Sequence, residues 1–342
     1  MRQVLLYIVA GIMLFSGPDT GKAQELTLLC GGDVMLANWV TDHMDRSGYS
    51  YPFRKVQGIL ERADIRFCNL EAPIGTAREQ DRADKSYTFA MPSGYRTALQ
   101  SAGFDVVSLA NNHILDYGPP LADSTRYYLQ EIGTQSTGYG RTLSEAVEPA
   151  VVNKNMNVGF LAYSMTYPTE YWATNTTAGT AYPHDRVFEP AVSTLDSLVD
   201  FTVVSFHWGS ESSDSTQRYQ QVYAHRAIRA GADLVIGHHP HIWQGLEWYR
   251  KRLIAYSLGN FCFGSFSKTA KESGLLEVRI APDSLIQAHI HPLDVNNVDV
   301  RFQPRPLEAT RKTHFLQELE RYSARFDTIS SVSVSPEGVI NF

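Results

Sequence analysis

Asp233-Leu234-Val235-Ile236-Gly237-His238-His239-Pro240-His241 is the stretch on which the fold turns. An acidic residue, a short apolar run and a glycine predict a buried strand. The strand ends in His-Pro-His, which delivers two imidazoles at i and i+2 into a turn. Proline stiffens that turn by fixing φ and removing a donor. Imidazole is the commonest protein metal ligand, so the stretch suggests a metal centre; a histidine-rich surface turn is the alternative. Recurrence decides between them. Asp64-Ile-Arg-Phe-Cys leads to Asn69-Leu70-Glu71, and Asp105-Val-Val-Ser-Leu-Ala leads to Asn111-Asn112-His113. Asp200-Phe-Thr-Val-Val-Ser-Phe leads to His207-Trp208-Gly209, and Leu26-Thr-Leu-Leu-Cys leads to Gly31-Gly32-Asp33. In open α/β sheets, ligands bind beyond the carboxyl ends of the strands. Five strands ending this way direct Asp33, Glu71, Asn112, His113, His207, His239 and His241 at one crevice.

Helical patterns alternate with these strands, over Pro52–Ala63, Ser93–Ala102, Pro119–Ile132, Pro190–Val199 and Asp214–Ala230. The last has Asp214 as expected N-cap and Gly231 just past its end. Asn157–Ser164 and Leu253–Leu258 are further strands, and the order is that of an α/β protein. After about Gly264 the texture changes. Gly274–Ile280, Ser284–His291 and Val298–Phe302 alternate as antiparallel strands do, and a final helix is expected near Leu307–Ala324. Residues 24–264 therefore form the main domain, and residues 265–342 a β-rich extension that completes the sheets and adds a terminal helix. Residues 1–23 have a positive start, a short apolar core from Val4 to Phe15, and small residues before Gln24. They predict a cleaved secretory signal peptide and an exported, periplasmic or cell-surface protein; an uncleaved membrane anchor is the alternative, for which the apolar core is short.

The chain has 342 residues, 43% of them hydrophobic, and a net charge of −6. That composition is ordinary for a globular protein, and the lack of a basic excess argues against nucleic acid as a partner. The three cysteines, Cys30, Cys68 and Cys262, lack the paired spacing of a structural zinc site and are expected as small buried hydrophobes. A Cys30–Cys68 bridge would require neighbouring strands with unusual geometry.

Six motifs carry a family resemblance. They are Gly32-Asp33-Val34-Met35-Leu36, Asn69-Leu70-Glu71-Ala72-Pro73, Ala110-Asn111-Asn112-His113 followed by Asp116-Tyr117-Gly118, His207-Trp208-Gly209-Ser210-Glu211, Gly237-His238-His239-Pro240-His241 and Tyr256-Ser257-Leu258-Gly259-Asn260-Phe261. In order and spacing they resemble the CapA family of poly-γ-glutamate capsule proteins, which is similar in turn to calcineurin-like metallophosphoesterases. The resemblance implies a four-layer α/β/β/α sandwich around two metals. It places Asp33 and His241 on the first ion, Glu71 between the ions, and Asn112, His207 and His239 on the second, with His113 facing the reacting group. Two departures stand out. Met35 occupies the position where the superfamily has a histidine, so the first site is expected one ligand short. Glu71 stands where an aspartate is usual. Gly264 falls where the family often has aspartate, and takes no role.

A carboxylate, amide and imidazole set suits Mn²⁺, Fe²⁺ or Zn²⁺, as one or two ions. Such an ion lowers the pKa of bound water from about 16 toward about 7, giving a hydroxide that attacks a phosphoryl or acyl centre. His113 then stabilises the oxyanion or protonates the leaving group; the alternative is a buried histidine holding its loop. Behind the ligands, or touching substrate, stand Asn69, Glu211, His238 and Asn260. Strand alternation points His238 away from His239. Glu211 either orients His207 or caps the next helix, Asn260 fixes loop backbone, and Asp116 makes a turn or N-cap bond. Trp208 and Tyr117 either wall the pocket or simply pack. Lys85 and Arg82 lie on a charged loop.

Three functions follow. One is an exported metal-binding protein acting in synthesis, export or anchoring of poly-γ-glutamate or a similar anionic polymer, with membrane-bound capsule synthesis proteins as partners. The second is a stand-alone metallohydrolase of phosphoester or amide bonds acting on a small substrate. The third is a polymer-binding module without turnover. The ligand set leans toward hydrolysis.

Overall fold

The computed structural model describes residues 25–326 and 332–342; the expected signal peptide lies outside them. At the centre is the strand Leu26–Met35. It pairs in parallel with Ile65–Leu70, which continues in parallel to Val106–Ser108 and Gln135–Thr137. On its other side it pairs antiparallel with Glu272–Ala281 over its first half and in parallel with Asn260–Phe263 over its second. Glu272–Ala281 forms a long hairpin with Ser284–Asp294. The extension after Gly264 thus contributes strands to the same sheet as the first strand of the chain.

The second sheet has six strands. From one edge to the other they are Leu246–Tyr249, Arg252–Ala255, Leu234–His238, Phe201–His207, Asn157–Ser164 and Ala150–Asn153. Leu234–His238 runs parallel to both neighbours, with His238 in register with His207.

The two sheets face each other across one apolar core, which includes Leu28, Cys30, Phe67, Phe160, Val203 and Ile236. Phe67 and Phe160 stack across the gap at 5.5 Å. The outer face of the first sheet, with Leu29, Cys68 and Val107, packs on the helices Val40–Ser47, Arg96–Ala102 and Gly118–Glu131. The outer face of the second, with Leu161, Val204 and Val235, packs on Phe188–Asp196 and Arg218–Arg229. Leu28 and Leu29 therefore enter different cores. A strand buried on both faces needs an unbroken apolar run, which is why these strands do not alternate with polar residues. This is the expected four-layer α/β/β/α sandwich.

Several local expectations change. Pro52–Ala63 is a 3₁₀ turn at Tyr51–Phe53 followed by a single helical turn at Gln57–Leu60. Gln217 and Gln220 form a capping box on Arg218–Arg229, whereas Asp214 is drawn away to Arg325, 3.2 Å distant. Val298–Phe302 is a short helix, Asn297–Val300. The Asn297 amide donates to the carbonyls of Phe263 and Ser265, both at 2.7 Å, and such local side-chain bonds compete with an extended ladder. All three cysteines are free and buried, although Cys30 and Cys68 lie on paired strands.

Glycine permits the closest approaches around the centre. A Cβ on Gly237 would lie 1.9 Å from the Tyr256 carbonyl oxygen, and one on Gly32 would lie 1.8 Å from that of Gly259. Only a residue without a side chain lets the neighbouring loops close over these strand ends.

Candidate metal centre

Asp33, Asn69 and His207 sit at the carboxyl ends of three strands, and Glu71, Asn112, His113, His239 and His241 lie in the loops just beyond such ends. The Pro240 turn does more than extend its strand. His239 has φ 94° and His241 φ 60°, a region that residues with a side chain rarely occupy. Strain of this kind costs on the order of 1–3 kcal/mol per residue and gathers at functional sites. It also breaks strand alternation. His238 stays in register with His207 and packs against Phe67 and Asp33, with Nδ1 3.3 Å from Asp33 Oδ1. His239 turns to the same cavity, its ring 4.8 Å from that of His207. The two histidines do not face opposite ways as alternation predicts.

Two ligand sets result. Asp33, Glu71 and His241 offer donor atoms within 4.8 Å of one another, and so do Glu71, His207 and His239. Glu71 belongs to both. Its carboxylate is buried, yet neither oxygen accepts a hydrogen bond. His207 Nε2 lies 3.0 Å from Glu71 Oε1 and 2.9 Å from Asn112 Oδ1, which brings Asn112 to the second set. His239 Nδ1 is likewise buried without a partner. An unpaired buried carboxylate is strongly unfavourable, and the all-oxygen-and-nitrogen donor set fits divalent cations of the Mn, Fe and Zn type. Met35 is fully buried in the helix-side apolar core and offers no nitrogen or oxygen.

The supporting contacts fix these groups. Asn69 Nδ2 donates to Asp33 Oδ1 at 2.8 Å and lies 3.3 Å from His207 Nδ1. Asn260 Oδ1 lies 2.9 Å from His241 Nδ1, so its side chain stands behind a candidate ligand as well as belonging to the loop. Asn111, not singled out from the sequence, donates to Asn69 Oδ1 and the Leu70 carbonyl and accepts from the backbone of His113 and Ile114. The Asn-Asn-His doublet was the available signal, since asparagine favours such local bonds.

His113 is buried, with Nδ1 2.8 Å from Asp116 Oδ2. Asp116 also accepts from the Phe89 backbone at 2.7 Å, and Lys85 Nζ stands 2.6 Å from its other oxygen. Asp116 is therefore not the N-cap of Gly118–Glu131, which has no side-chain cap. Glu211 meets neither expectation: Asn69, Asn112 and Glu71 surround His207, Gln217 caps the following helix, and Glu211 is exposed. Trp208 is fully buried, stacked on Phe206 at 4.4 Å with Nε1 donating to the Tyr256 carbonyl. It is a packing residue.

Electrostatics divide the cluster. Burial pushes Asp33 up, but the adjacent imidazoles of His238 and His241 outweigh it and hold its carboxyl well below the ordinary range. Burial, reinforced by the charge of Asp33, pushes Glu71 well above. Burial and neighbouring imidazoles hold His207 well below its ordinary value and bring His239 to about 3. Burial would lower His241 too, but Glu71 and Asp33 raise it to about 9. Burial lowers His113, leaving it neutral.

The model of the bacterial capsule synthesis protein PGA_cap matches residues 27–265. The chain belongs to this family. The capsule biosynthesis protein CapA of Bacillus anthracis is 28% identical over 80% of this chain and 68% of its own length. The PGA biosynthesis protein CapA of Bacillus subtilis is 26% identical over 92% of this chain and 88% of its own. Among solved structures, the NAD nucleotidase of Haemophilus influenzae superposes with a TM-score of 0.46 at 10% identity, covering 90% of this chain and 64% of that one. All six sequence motifs lie within the span that matches the family.

Proposed function

We propose that this capsule-synthesis family member is an exported, metal-dependent protein whose centre acts on a linkage of poly-γ-glutamate or a similar anionic surface polymer. The observation that carries the reading is Glu71, a buried carboxylate with no hydrogen bond on either oxygen, common to two ligand sets. Asp33, Glu71 and His241 would hold one cation; Glu71, His207, His239 and Asn112 would hold the other. A divalent ion bound there supplies Lewis acidity and an acidified water at neutral pH.

The chain's own groups do the rest. Asn69 and Asn260 orient Asp33, His207 and His241 by the contacts described above. Asp116 holds Nδ1 of His113, which leaves Nε2 of a neutral imidazole for substrate. A proton handed through that atom to or from the reacting oxygen is general acid–base catalysis. Lys85, braced between Asp116 and the Asn112 carbonyl, fixes the loop that carries both residues.

Elemental analysis of purified wild type beside His239→Ala tests this. Wild type should carry Mn, Fe or Zn, and the variant should lose at least one ion per chain. Equal metal content in the two would remove the centre. Turnover of a phosphodiester and of a γ-glutamyl oligomer by the loaded protein then separates a hydrolase from a binding module.

A further inference from the structure

Beside the metal centre a cleft of about 690 Å³ runs outward from Asn112 and His239. Binding a cation does not account for its walls. Tyr167, Trp172 and Tyr182 line it together with two further tyrosines. Trp172 and Tyr182 pack ring on ring at 3.9 Å. Trp172 is fixed by an Nε1–H bond to the Thr166 carbonyl, 3.1 Å long. Tyr167 stands 6.4 Å from Trp172 and is 78% exposed. These are amphipathic planes, Trp172 and Tyr182 held by their contacts and Tyr167 facing water, that offer contact area at low entropic cost. The polar lining consists largely of hydroxyl and amide groups, Thr166, Ser210 and Gln217 among them. Among the described residues Glu211 carries the one formal charge in the lining, and no lysine or arginine lines the cleft.

That composition selects its occupant. A run of glutamyl carboxylates, or a phosphate group, needs arginine or lysine partners. Here it would meet Glu211 instead. An ammonium group would suit one ring face and Glu211, but it would leave most of the volume unfilled. A pyranose ring matches every part. Its C–H face lies on an aromatic plane, and its rim of hydroxyls needs neutral donors and acceptors.

We propose that this cleft is a saccharide subsite of the metal centre, taking a neutral sugar unit of a surface glycan beside the linkage acted upon. It rests on the reading of the centre given above, in its branch of an anionic surface polymer that carries sugar units in place of poly-γ-glutamate, and adds the chemical class of the group next to the reacting bond. The anionic part of a substrate is then matched by the cations, and the sugar by the aromatic cleft.

The test titrates metal-loaded protein with N,N′,N″-triacetylchitotriose and with maltotriose, by calorimetry and tryptophan fluorescence, with an oligo-γ-glutamate as competitor. At least one trisaccharide should bind with a Kd of about 1 mM or tighter. Tyr167→Phe, which keeps the ring, should bind as wild type does. Tyr167→Ala should bind about tenfold more weakly or worse, with metal content unchanged in every variant. Tyr167 is exposed, so its loss leaves the fold intact. Failure of both sugars to bind metal-bearing protein overturns the subsite and leaves the centre standing. So does displacement of the sugar by oligo-γ-glutamate, or equal sugar affinity in Tyr167→Ala and wild type. Protein without metal would remove the centre instead, and the sugar titration remains readable on the same sample.

Discussion

Loading the centre with a divalent cation at pH 7 should expel protons, because its ligand His241 is raised into the range where it holds a proton that a cation must replace. Burial alone would lower His241, but Glu71 and Asp33 raise it to about 9; at pH 7 a group with that value is protonated in all but about 1% of molecules. Burial and the Asp33 charge push Glu71 well above the carboxylate range. The two interact, so their protons belong to the pair. Asp33 is already ionised, and His207 and His239 are already neutral. Saturation should therefore release at least about one and at most about two protons per chain. Calorimetric heats of Mn²⁺ or Zn²⁺ binding, measured in buffers of different ionisation enthalpy, give that number as a slope. Affinity should rise about tenfold per pH unit per proton, or about 1.4 kcal/mol, from pH 7 toward 9, and then level off. Heats independent of buffer at pH 7 would refute the assigned protonation states.

Asp116→Asn should slow turnover about ten- to a hundredfold, the usual effect of losing a partner that orients a working histidine, while metal content stays that of wild type; rate assays and elemental analysis on one preparation check both. Gly237→Ala places a methyl 1.9 Å from the Tyr256 carbonyl oxygen, and urea unfolding should show a loss above about 3 kcal/mol, in the range of severe core strain. In metal-free protein the raised His241 contributes stability that is complete below its ordinary value of 6.5 and is lost as pH rises through about 9. The depressed Asp33 contributes stability that is present above the ordinary carboxylate range and is lost as pH falls through its lowered value. Thermal melts of chelated protein should therefore peak between those limits, and a profile flat from pH 3 to about 9.5 would contradict both assignments.

Much of the architecture was legible in one dimension. Apolar runs such as Leu234–Ile236 can only be strands buried on both faces, and each ended on a polar group suited to metal or substrate. Where short-range chemistry competed, the reading failed. Val298–Phe302 alternates like a strand, yet the Asn297 amide bonds to a distant loop and a helical turn forms. Asp214 has the right residue type for a cap but finds Arg325 more than a hundred residues away. The His238–His239 alternation failed because the backbone at His239 leaves the extended region altogether.

From the chain alone came the identity of the metal-type ligands and the α/β order of elements, because strand period and side-chain chemistry are local properties. Folding decided which candidate ligands lie within reach of one another, that Glu71 is common to both sets, and which way each proton equilibrium leans. It also assembled an aromatic cleft from Tyr167, Trp172 and Tyr182, none of which stands out in sequence. Those features depend on distance and burial between segments far apart along the chain, and electrostatic energy in a desolvated pocket changes steeply with both.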